Sequence, residues 1–249
     1  MKRMLLILRR DFKEMRSTAA FRIMIIIVAF LTIAASAGIS AALRLQSWYG
    51  VPEAAPALDL ILGLVAYFLP FAILMAFVWA FASIQTTNEK VNGNVECLLA
   101  TPLGPKTLWM GKCLAVFVPS YLISIIAFFI VLLAVNLAAI LPGWGMLMLP
   151  LAPLVNGLVI NPLLFFALLA FIVLFSLASN PDIAIAPSLI IGFGLMVGIP
   201  VGLLTGAISI ASWSFVLWYM VGTVSVWVLV LYLTRLLTRQ NIVLSSKGS

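Results

Sequence analysis

Between Cys113 and Thr234 the chain carries one charged residue, Asp182. A folded aqueous domain carries roughly a quarter charged residues, because its surface must be solvated, so no such domain fits in that stretch. Over all 249 residues, 65% are apolar and 8% charged, and most of the surface must face lipid. Inside bilayer hydrocarbon every backbone amide needs a partner within the protein, which leaves helices or a closed barrel as spanning structures. The apolar stretches here run about 20 residues without period-two alternation, which selects helices. The expected fold class is an all-α integral membrane protein.

Six apolar segments emerge: 22–43, 58–84, 112–140, 162–178, 183–206 and 213–236. Orientation follows from the placement of Lys and Arg. With the N-terminus inside, Lys2, Arg3, Arg9, Arg10, Lys13, Arg16, Arg22, Lys90, Lys106, Lys112, Arg235, Arg239 and Lys247 all fall on the cytoplasmic side, and only Arg44 falls outside. Six spans therefore put both termini in the cytoplasm. The net charge of +7 is a topology signal rather than a sign of nucleic-acid binding. There is no histidine, and Cys97 and Cys113 are read as reduced thiols; two isolated cysteines do not make a closed zinc site.

Residues 1–18 read as an amphipathic helix. At 100° per residue Met4, Leu5, Leu8, Phe12 and Met15 share one arc, and Lys2, Arg9, Lys13 and Arg16 the opposite one. Leu6 and Ile7 break the pattern. Such a helix lies in the inner interface with its basic face against anionic headgroups. The alternative is a signal peptide cleaved near Ala35-Ser36-Ala37, against which stand a long charged leader and its Asp11 and Glu14. Asn161-Pro162 and Asn180-Pro181-Asp182 each read as an Asn cap followed by Pro at the first helical position. Asp182 then favours the helix dipole; ion binding there is the competing role. Pro70, Pro119, Pro187 and Pro200 predict kinks within spans. The uncharged stretch 141–161, with Pro142, Gly143, Trp144, Pro150 and Pro153, reads as an outer connection against the membrane surface or dipping partly into it.

The longest cytoplasmic connection, 85–111, is QTTNEKVNGNVECLLATPLGPKTLWMG. Thr86 and Glu89 have capping-box spacing. Val91, Val95, Leu98 and Leu99 recur on one helical face, Glu89, Asn92, Gly93, Glu96 and Ala100 form the other, and Thr101-Pro102 stops the helix. An amphipathic helix over 86–101 either lies passively in the interface or docks in a groove on a cytoplasmic partner. Its physical pattern supports both.

The run Asn88 to Pro102, followed by Leu108 and Gly111-Lys112, resembles the cytoplasmic loop of ABC-2-type transporter permeases. That loop has an acidic-basic pair, a Gly, a Glu and Leu-Leu-Ala-Thr-Pro, with Gly-Lys opening the next span. Here these fall on Glu89-Lys90, Gly93, Glu96, Leu98 to Pro102 and Gly111-Lys112. The basic N-terminus with Asp11-Phe12-Lys13-Glu14 is similar too. Departures are Asn94, where the family often has Thr, and a tail at Thr238-Arg239-Gln240-Asn241 that lacks a frequent acidic residue. The resemblance implies a prokaryotic plasma-membrane subunit that pairs with a second permease subunit, as a homodimer, and binds two copies of a separate ABC ATPase. It implies that the loop is a coupling helix seated in the ATPase through Glu89, Gly93, Glu96, Leu98 and Leu99. ATP and Mg²⁺ would belong to the ATPase, with no cofactor on this chain.

Gly194, Gly198, Gly202 and Gly206 form small-xxx-small steps along the fifth span, a ridge where another helix can approach closely. In the resembled family spans one and five lie near the dimer seam, so the ridge reads as subunit contact, or else as packing within one subunit. Gly104-Pro105-Lys106-Thr107 and Gly111-Lys112-Cys113 lack phosphate-loop spacing. The acids Asp11, Glu14, Glu53, Asp59, Glu89, Glu96 and Asp182 all lie at or outside span ends, which leaves no catalytic set and argues against an enzyme. It also argues against an ion-coupled carrier, which keeps ionisable groups deep in the membrane. That carrier and a non-transporting assembly subunit are the alternatives. The polar groups Asn136, Ser176, Tyr219, Thr223 and Ser225 suggest an amphiphilic or apolar cargo, or simply bond helix to helix.

Overall fold

The computed structural model describes residues 2–82, 104–178 and 182–238. Among them there is no strand. Helix α1 (Lys2–Ser17) is followed by α2 (Ala19–Arg44), then α3 (Ala55–Phe81), entered through a 3-10 turn at Pro52–Ala54. Next come α4 (Pro105–Trp144), α5 (Leu151–Ala178), α6 (Asp182–Leu204) and α7 (Trp213–Leu233), with a 3-10 turn at Thr234–Leu236. Helices α2 to α7 are each long and apolar enough to cross a bilayer, the architecture of a multi-pass membrane protein. They alternate in direction, so the bundle has an end that carries α1 and a far end.

Two spans are longer than their sequence suggests. α4 begins at Pro105 rather than Lys112 and runs on to Trp144, and α5 begins at Leu151 rather than Pro162. Most of the stretch read as an outer connection is therefore helix. Asn161-Pro162 is not a helix start: Asn161 is fully buried, and a wide π turn at Asn156–Ile160 joins it to the helix before it. A second π turn, at Asn136–Ile140, stands in α4. Both turns share one sequence pattern, Asn-x-x-x-Ile-x-Pro, at 136–142 and 156–162.

The prolines explain what happens next. Pro142 has no N–H to return to the carbonyl of Ala138, and the Arg44 guanidinium donates to that carbonyl. Pro162 likewise has none for Leu158, whose carbonyl accepts the Tyr121 hydroxyl at 2.9 Å. A distant side chain thus takes the place of each missing N–H where the helix runs on. The Asn180-Pro181 cap lies outside the described residues; Pro70, Pro119, Pro187 and Pro200 all sit inside helices.

Helices α3, α4 and α5 make the core. Within their most apolar windows, 61%, 50% and 67% of residues are buried, against 17% for α2 and α6 and 22% for α7. Lipid tails are as apolar as leucine, so close packing and hydrogen bonds, rather than escape from water, hold such helices together. Tyr67, Phe71 and Phe165 interlock between α3 and α5, with the two Phe rings 4.9 Å apart edge to face. The indole N–H of Trp109 donates to Ala170 O at 2.8 Å, and that of Trp227 to Leu163 O at 3.0 Å. The far end is closed by hydrogen bonds between side chains and backbone. Tyr49 donates to Ala139 O at 2.8 Å, Trp144 to Val51 O at 2.9 Å, and the Met148 N–H to Asn136 Oδ1 at 2.9 Å.

Candidate functional site

The α1 end brings the most sequence signals together. α1 packs along α4, and among its described side chains Ile7, Asp11 and Met15 are buried, while Arg9, Arg10, Lys13 and Arg16 are exposed. A helix stands at Lys2–Ser17, but its described buried stripe runs through Ile7, Asp11 and Met15, includes Ile7, which breaks the sequence pattern, and lies on protein. Leu8 and Phe12 are only half-buried. The reason is Gly111. The Ile7 side chain stands 3.0 Å from where a Cβ at position 111 would be, so any larger residue there would push Ile7 back by a few tenths of an ångström. Beside it, Lys112 Nζ lies 3.6 Å from Asp11 Oδ2 with both side chains 2% exposed, and Arg10 reaches Asp11 Oδ1 at 2.8 Å. Gly111-Lys112, the pair that opens the third span, is thus the seat of α1. An ion pair this buried is costly to break, because one partner's removal strands the other charge.

Glu89, Gly93, Glu96, Leu98 and Leu99 fall in 83–103, outside the described residues, as does Cys97. The two anchors of that segment are described. Phe81 and Ala82 are buried at the end of α3, and Phe21 of α2 packs edge-on against Phe77 and Phe81, each at 6.2 Å. On the other side Leu108, Trp109 and the buried free thiol Cys113 fix the start of α4, with Trp109 bonded to α5. A force on the segment would therefore reach α3, α4 and, through Gly111 and Lys112, α1.

The glycine ridge divides. A Cβ at Gly194 or Gly198 would meet nothing within 4 Å, whereas Gly202 is covered by Ile208 of the loop that follows. Gly206 lies beyond the helix at φ 71°, a left-handed conformation that turns the chain back and lets the Ile208 N–H bond Gly202 O at 3.0 Å. Packing within the chain accounts for Gly202, and helix termination for Gly206; Gly194 and Gly198 face open space. The glycine through which α6 does meet α3 is Gly192, against Trp79 and Met75.

Most polar groups in the spans bond helix to helix or to their own turn. Asn136 donates to Leu132 O, Thr223 to Tyr219 O and Ser225 to Val221 O. Asn161 is more than that. Its Nδ2 donates to Tyr67 O at 3.0 Å, its Oδ1 accepts from the Tyr219 hydroxyl at 2.7 Å, and Tyr67 donates to the Tyr219 oxygen at 3.3 Å. One network thus ties α3, α5 and α7. Sequence reasoning missed it by reading Asn161 as a cap; an Asn inside an unbroken apolar run was the available signal. One π turn towards the far end, Asn156 is fully buried and neither Oδ1 nor Nδ2 has a hydrogen-bond partner; Ser176 Oγ is likewise unpartnered.

No family model, curated protein or solved structure matches the chain.

Proposed function

We propose that this chain is the membrane-spanning permease subunit of an ATP-driven transporter of the ABC-2 type, acting as an exporter in a prokaryotic plasma membrane. The observation that carries this reading is the run Asn88 to Pro102, set between two anchors that are both built into the helical core. Both termini face the cytoplasm, as the distribution of Lys and Arg requires. Two copies of a separate ATPase, which hold ATP and Mg²⁺, seat the 86–101 helix through Glu89, Gly93, Glu96, Leu98 and Leu99. Closure of the ATPases presses on this helix, and the load passes to α3 and α4 and, through Lys112 and Asp11, to α1. A second copy of the permease lies against α6, where Gly194 and Gly198 have open space beside them.

The test is the double replacement Glu96→Ala/Leu99→Ala in the assembled complex. The reading expects the ATPase to be lost, or retained with its hydrolysis no longer coupled to transport. Undiminished ATPase association and undiminished coupled transport would contradict it.

A further inference from the structure

The two Asn-x-x-x-Ile-x-Pro segments differ in one respect. In the first, Asn136 is satisfied by the protein at both ends of its amide, giving to Leu132 O and taking from the Met148 N–H. In the second, Asn156 is fully buried in the same position of its π turn, and both amide atoms lack a partner. A buried amide without partners is costly in a low-dielectric surrounding, and lipid offers no water to relieve it. π turns within helices are frequently found at functional sites.

The surroundings say what kind of group would complete it. The Asn161 N–H bonds the carbonyl of Asn156 across the turn, so the Asn161–Tyr219–Tyr67 network begins one turn below. On one flank of Asn156, Gly157 faces the carbonyl of Ala66 so closely that any Cβ would strike it. Pro70 has no N–H to give that carbonyl. On the other flank Ala152 and Ile160 pack with Val216 of α7. The place is therefore a junction of α3, α5 and α7, rich in aromatic rings, with amide and hydroxyl groups and no formal charge among them. A charged headgroup would be stripped of water there with no counter-ion. An amide such as Asn156 offers one acceptor and one donor edge, the complement of a hydroxyl or an amide.

We propose that Asn156, supported by Asn161, Tyr219 and Tyr67, is the mid-membrane subsite for an uncharged hydrogen-bonding group of an amphiphilic transported molecule. The assignment to a transported molecule rests on the permease reading; the binding site itself does not. Access requires α3 and α7 to part at this level, and the network between them opens with that motion.

The test uses the full chain in phosphatidylcholine nanodiscs and, as probe, a decanamide bearing a diazirine at its alkyl end. After irradiation, the sites of labelling are mapped by mass spectrometry. Saturable labelling within α3, α5 or α7 is expected, suppressed by excess decanamide and unaffected by decane. It falls at least fivefold in Asn156→Leu. Asn156→Ala, which removes the amide without adding bulk, must show the same loss while eluting as a single species. Equal labelling of wild type and Asn156→Ala, or equal suppression by decane, would overturn the site and leave Asn156 with no more than a bound water. Labelling needs no ATPase. Amide-dependent labelling of a chain that never recovers an ATPase would thus overturn the permease reading alone.

Discussion

At Gly157 α5 comes up against the backbone of α3, with the Ala66 carbonyl directly opposite. Gly157→Ala forces a methyl group into backbone, which cannot rotate away as a side chain can. Overpacking of this kind costs about 1–3 kcal/mol, and the thermal unfolding midpoint in detergent should fall by several degrees. Gly194→Ala is the matched control. Its Cβ meets open space, and alanine exceeds glycine in helix propensity by up to about 1 kcal/mol, so the midpoint should hold or rise. Equal midpoints for the two variants would mean that α3 and α5 are not in this contact. At the same scale, Asn161 shows how a residue's local sequence misleads. Asn-Pro at a helix start and Asn-Pro inside a helix look alike; the unbroken apolar run around Asn161 was the local signal, and its partners Tyr67 and Tyr219 lie far away in the chain.

Among the elements, the helical spans were legible because lipid demands long apolar runs, and four of the six came close to their sequence-based bounds. The α4 and α5 boundaries were not, because the donors that bridge Pro142 and Pro162 are Arg44 and Tyr121, which no local window contains. A helix at α1 was legible, but its partner was not. A residue facing lipid and one facing another helix are both apolar, and Asp11 in the buried stripe is intelligible only with Lys112 in place. Asp11→Asn should therefore loosen α1 from α4, since breaking a buried pair costs roughly 3–5 kcal/mol. Trypsin cleavage at Arg9 to Arg16 should become faster than in wild type. The double variant Asp11→Leu/Lys112→Met, which leaves no stranded charge, should be cut more slowly than Asp11→Asn. Unchanged cleavage in Asp11→Asn would mean that the pair does not hold α1.

For the whole molecule, helix number and alternation were readable from the apolar runs, and orientation rests on the Lys and Arg distribution alone. Single cysteines in a Cys97→Ser/Cys113→Ser background test it. An impermeant maleimide should label cysteine at Gln46 or Ser212 in intact cells and at Ser17 only after the membrane is opened. Labelling at Ser17 in intact cells would reverse the topology and remove the 86–101 segment from the cytoplasm. The coupling assignment then depends on what the chain keeps company with. Purification of the tagged full chain from its native host in mild detergent, followed by mass spectrometry, tests that most directly. The account predicts a stoichiometric ATPase carrying Walker motifs. Repeated recovery without any ATPase, together with transport by the chain alone in liposomes, would contradict it.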